Sequence, residues 1–131
     1  MLIIDAANVV GSRPTGWWRD RAGAASAFVG RVRAATAAGR LTPPVLIVLE
    51  GVARAGVDEG VTDGVEVVHA PGEGDDAVAH LAQPAHLAQP AQPQDVGRPP
   101  VVVTADRGLR RRVEAVGARV VGPSWLYERL D

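Results

Sequence analysis

The chain has 131 residues, 47% hydrophobic and 22% charged, with a formal net charge of −1. That composition fits one globular domain with a real core and carries no global basic signature for nucleic acid, so any polyanion site has to be local. All 14 basic residues are arginine, which excludes a Walker A phosphate loop with its obligatory lysine, and with it standard receiver domains and haloacid-dehalogenase-like phosphatases. Cysteine is absent, removing disulfides, thiolate zinc sites and cysteine nucleophiles together. The start, Met1 to Asp5, has no basic leader region, and no stretch approaches the roughly 20 apolar residues of a membrane span. A cytoplasmic protein that is not membrane-bound is expected.

Leu2-Ile3-Ile4 begins the chain as a short apolar strand, and Ala6 to about Asp20, containing Gly11, Pro14 and Gly16, is expected to be a loop. A helix follows over Arg21 to Ala38, with Ala25, Phe28, Val29, Val32 and Ala35 on its apolar face and Gly39 as terminator. Val45 to Leu49 is the second strand, Gly51 to Gly64 a loop or weak helix, and Val65 to His69 the third strand. Asp75 opens the next helix, which meets an exact hexapeptide repeat, His80 to Ala85 and His86 to Ala91. Proline inside a helix costs about 3 kcal/mol, so a break is expected near Gln83. Pro84 to Pro100 reads as an irregular surface insertion, and the spacing of His80 and His86 is not that of a two-histidine metal site. A fourth strand over Pro100 to Thr104, a helix over Arg107 to Val116, a fifth strand over Ala118 to Val121 and a closing helix from Pro123-Ser124 complete the chain. Trp125, Leu126 and Leu130 of that last helix are expected in the core.

Strands alternating with helices imply a mainly parallel sheet covered on both faces, a three-layer α/β/α sandwich of roughly five strands. Ligands of such sheets bind beyond the carboxyl ends of the strands. Acidic residues stand there: Asp5 after the first strand, Glu50 after the second, Asp106 after the fourth, and Asp75-Asp76 opening the helix after the third. Carboxylates gathered in this way point to a hard divalent cation held through oxygen. Asp106 and Asp75 also suit helix N-caps, whereas Asp5 and Glu50 precede loops with no clear helix start, so capping does not account for them.

The motifs then reach a family. Asp5-Ala-Ala-Asn8-Val-Val-Gly11-Ser12, Gly72-Glu-Gly-Asp75-Asp76-Ala-Val78 and Val103-Thr104-Ala105-Asp106-Arg107 resemble, in order and across nearly the whole chain, the acidic motifs of the PIN-like nucleases, especially their NYN branch. The resemblance implies a metal-dependent endoribonuclease with Asp5, Asp75 and Asp106 as catalytic residues. Magnesium or manganese would be held by Asp5, Asp106 and Asp75 or Asp76, with Glu50 as a further ligand. Asp75, which shares a helical face with Val78, is favoured over Asp76, and Asn8 would orient a ligand or a water.

Phosphodiester hydrolysis at such a site needs cations for the substrate. Arg107, Arg110 and Arg111 can share one face at the start of the helix after Asp106, and Ser12 and Arg13 flank the first loop together with Arg19 and Arg21. Trp17 and Trp18 in that loop can anchor it or stack on unpaired bases of RNA. The alternatives are a PIN-like module that binds RNA or protein without turnover, and a nucleotide pyrophosphohydrolase. The second lacks the clustered arginine and glutamate segment of its Nudix form. Oligomeric state is not legible.

Overall fold

The computed structural model describes residues 1–83 and 98–131. The expected insertion up to residue 97 and most of the hexapeptide repeat fall outside those residues. Among them, six strands form one sheet: β1 (Leu2–Asp5), β2 (Val45–Leu49), β3 (Gly60–Thr62), β4 (Val65–His69), β5 (Val101–Val103) and β6 (Arg119–Val121), in the order β3-β4-β2-β1-β5-β6. Every pairing is parallel except that of β3 with β4.

β1 sits between β2 and β5, with Ile4 level with Ile47 on one side and Val103 on the other. All its residues are buried, as an uninterrupted apolar run in a parallel strand covered on both faces should be. Alternate side chains sort into two cores. Ile4, Ile47 and Leu49 pack with Phe28, Val29, Val32 and Leu126, carried by α2 (Arg21–Ala37) and α5 (Pro123–Leu130). Ile3, Leu46 and Val102 pack on the opposite face with Val78, Leu81, Leu109 and Val113, carried by α3 (Gly74–Leu81) and α4 (Arg107–Glu114). Each fully buried Val or Leu side chain contributes about 1.5–3 kcal/mol, so the three layers follow from the period-two alternation of the strands. The expected α/β/α sandwich is the observed one.

Helix α2 buries all five apolar positions expected of it, and Gly39 takes a left-handed φ of 81° just past its end. Leu126 and Leu130 are buried, while Trp125 is half-buried under the guanidinium of Arg129, 3.8 Å from the ring centre.

Two segments depart from the sequence expectation. The stretch expected as one loop from Ala6 contains a helix, α1 (Ala6–Gly11), and a 3-10 turn at Trp17–Arg19. Six residues are too few to show a helical period or to be stable alone. α1 is held by tertiary packing, with Ala6 and Val9 buried and the Tyr127 hydroxyl donating to the Val9 carbonyl at 3.1 Å. Within Gly51 to Gly64, a 3-10 turn at Gly51–Gly56 leads into β3, which raises the strand number to six. β3 is entirely exposed, so it carries no apolar signal. The Asp63-Gly64 pair joining it to β4 carries a turn signal instead, since both residues adopt positive φ (54° and 77°) in a two-residue hairpin turn.

Candidate active site

The chain leaves β1 toward β2 on one side and returns through α3 to β5 on the other. The strand order therefore reverses at β1 and β5, and the crevice beyond their carboxyl ends is where this class of sheet binds ligands. A cleft of about 420 Å³ lies there, lined by Asp5, Ala7, Asn8, Glu50, Glu73, Asp75 and Asp106.

Asp5 is its buried member, 6% exposed at the end of β1. Contrary to the expectation that a loop follows it, Asp5 occupies the N-cap position of α1. Its pKa is raised from 3.8 to about 6, mainly because burial penalises the charged form. The Thr104 hydroxyl, donating to Oδ2 at 3.2 Å, and the backbone amide of Asn8 pull it down, while the negative charges of Glu50 and Asp106 push it further up. The site thus holds a carboxylate whose ionisation its surroundings resist.

Thr104 serves two acids, since its Oγ1 also accepts from the Asp106 amide at 3.1 Å. Asp106 caps α4 as expected, with Oδ1 accepting from the Leu109 amide at 2.9 Å. Asn8 crosses from α1 to the other side of the crevice, where its Oδ1 accepts from the Ala105 amide at 2.7 Å. The first and third motifs are therefore tied together by two side-chain hydrogen bonds, through Thr104 and Asn8.

Glu50 also lies elsewhere in the capping scheme than expected. It precedes a 3-10 turn, and its Oε2 accepts from the Gly74 amide at 2.8 Å, so it supports the N-terminus of α3 from a neighbouring element. Residue 74 is tightly enclosed there: a Cβ on Gly74 would stand 3.1 Å from the Glu50 carboxyl carbon. The helix begins at Gly74 with Glu73 in the N-cap position, which places Asp75 inside the first turn and not at a cap.

The two adjacent aspartates separate. Asp75 lines the cleft, whereas Asp76 lines a neighbouring depression and pairs with Arg112 at 2.9 Å. Arg112 stands 3.8 Å from Asp75 as well. Ser12 and Arg13 are not among the cleft residues. The Ser12 hydroxyl donates to the Val9 carbonyl at 2.6 Å, and the Arg13 guanidinium sits 3.6 Å over the Tyr127 ring and pairs with Asp131. Arg107, Arg110 and Arg111 are exposed on α4, outside the cleft lining, with Arg110 engaged by Glu114 at 2.9 Å.

Glu73 and Thr104 were given no site role from sequence. Thr104 is the first residue of the threonine-x-aspartate signature, and Glu73 is an acid flanked by two glycines immediately before a helix, so both carried a readable signal.

The lining donors are carboxylate and amide oxygens, the set that a hard divalent cation takes. Among the described residues no three acidic or histidine side chains are gathered into a ready-made coordination shell. Glu50, Asp106 and Asp75 lean toward Gly74, Leu109 and Arg112 respectively. Magnesium commonly keeps several waters and is held through one or two carboxylates with substrate phosphates, so the donor chemistry fits such an ion without a closed cage.

No protein-family model and no curated protein matches the chain. Among solved structures it is similar to Rae1 (YacP) from Bacillus subtilis, a crystal structure of the W164L mutant, at 18% identity and a TM-score of 0.64, covering 98% of this chain and 73% of that one. The likeness is one of fold.

Proposed function

We propose that the chain is a metal-dependent endoribonuclease acting on unpaired RNA. The observation that carries this reading is the convergence of Asp5, Glu50, Asp75 and Asp106, from four separate stretches of sequence, on one cleft at the switch point of the sheet. The motifs that resemble the PIN-like nucleases supply three of those residues, and the shared fold is compatible with it.

In this reading Asp5, Asp75 and Asp106 hold magnesium or manganese, with Glu50 beside them. The ion would lower the pKa of a bound water and neutralise charge on the phosphoryl oxygens. The protein's own part is positioning. Thr104 fixes Asp5 Oδ2 and the Asp106 backbone together, and Asn8 holds the loop at Ala105. Burial of Asp5 beside two other carboxylates leaves negative potential that a cation relieves. Arg107, the first residue of α4 and next in sequence to Asp106, would meet a phosphate arriving at the cleft, whereas Arg110 is already paired with Glu114.

The test is cleavage of a labelled mixed-sequence RNA with Mg²⁺ or Mn²⁺ against EDTA, with Asp5→Asn and Asp106→Asn in parallel. Metal-dependent cutting lost in both folded variants is expected. RNA retained without cutting in any metal would replace the enzyme with a binding module.

A further inference from the structure

A second cavity, of about 460 Å³, opens beside the acidic cleft and shares Ala7, Glu50 and Glu73 with it. Its other walls are mainly apolar: Val10 from α1, the Trp17 indole, Ala24 from α2 and Ala53 from the turn after β2. We infer that this cavity receives a nucleobase of the unpaired strand whose phosphate occupies the neighbouring cleft. The inference deepens the nuclease reading and rests on it.

The geometry favours a flat aromatic ring. Trp17 is half-buried and meets the exposed Trp18 ring edge-on, with ring centres 5.9 Å apart at 89°, and the Arg21 guanidinium stands 5.5 Å from its ring centre. Alanines at 7, 24 and 53 line the same space without filling it. The size lies within the usual range for small-ligand pockets, about 300–1,000 Å³.

The lining assigns which part of a nucleotide enters. Its mainly apolar walls suit a base, and a carboxylate of Glu50 or Glu73 at the shared rim can accept from the exocyclic amine of that base. Arg21, at the cavity lining, suits the anionic backbone. A base in a duplex is stacked and paired, so the occupant is an unpaired one, and base-on-indole stacking is tolerant of sequence.

The experiment is equilibrium binding in EDTA of a short labelled oligocytidylate and of a chain of equal length with abasic riboses throughout, which carries the same phosphate charge. One stacked base is worth about fivefold to a hundredfold in affinity, and the base-bearing chain is expected to bind tighter by that factor. Trp17→Ala should lose the advantage and Trp17→Phe keep most of it. Ala24→Leu, which leaves the indole and fills the cavity, should lose it too, while Trp18→Ala keeps it. Thermal melts establish that each variant is folded. Equal binding of the two chains, or wild-type preference in both Trp17→Ala and Ala24→Leu, overturns the inference. Because the assay contains no metal, base preference lost in those variants without any Mg²⁺- or Mn²⁺-dependent cleavage supports the pocket and removes the nuclease. Cleavage that needs Asp5 but is indifferent to Trp17 and to the base removes the pocket and keeps the nuclease.

Discussion

The Thr104 hydroxyl donates to Asp5 Oδ2 at 3.2 Å while accepting from the Asp106 amide, so one buried side chain joins the acids of the first and third motifs. Thr104→Val removes the donor that favours ionised Asp5 and leaves the Asp106 amide donor without its acceptor. A loss of about 1–3 kcal/mol in stability is expected, with the pKa of Asp5 moving further up. The acid limb of the cleavage pH profile should shift to higher pH in Thr104→Val and stay in place in Thr104→Ser.

Asp5 makes stability depend on pH in an unusual direction. Its folded pKa, about 6, lies above the unfolded value of 3.8, so between those pH values the folded state binds the proton more tightly and stability falls as pH rises. The penalty is fully present at pH 7 and amounts to about 3 kcal/mol, at 1.36 kcal/mol per pKa unit. Asp5→Asn should therefore melt higher than the parent at pH 7, with the gap closing below about pH 4. Equal melting temperatures at pH 7 would show that Asp5 ionises freely.

Metal addition should reproduce part of that gain. A cation that binds the folded chain raises its melting temperature by mass action. Mg²⁺ or Mn²⁺ is expected to raise it for the parent above pH 6, much less at pH 4, and little for Asp5→Asn. Calorimetry with and without EDTA reads the difference.

Asp75 and Asp76 differ in where they point. Asp75→Asn should reduce cleavage at least tenfold, whereas Asp76→Asn, which breaks an exposed pair with Arg112 worth at most about 1 kcal/mol, should stay within a few-fold of the parent. Similar losses in both variants would place Asp76 in the site.

Gly56 is a packing requirement. A Cβ there would meet the Ala22 carbonyl oxygen at 2.0 Å, a backbone atom that cannot swing aside. Overpacking of this kind typically costs about 1–3 kcal/mol, and Gly56→Ala should lower the melting temperature accordingly. Gly51→Ala is a useful comparison, because its strain comes from a φ of 57° with nothing within 4 Å of the added carbon.

The layered fold was written in local pattern: apolar runs in β1, β2 and β5, the buried face of α2, and the cap at Asp106 are each set by neighbours a few residues away. So was the order of the acids at strand ends. Side-chain direction was not. Asp75 and Asp76 are adjacent and chemically identical, both within reach of Arg112, and only the rotation of α3 against the sheet puts Asp75 in the cleft and Asp76 in the neighbouring depression. Ser12 and Arg13 stand within or beside a site motif, yet α1 turns them toward Val9 and Tyr127. The roles of Glu50 at α3 and of Asn8 at Ala105 span 24 and 97 residues. Hydrogen bonds over such separations are chosen by which elements the packed cores bring together, and no local propensity encodes them.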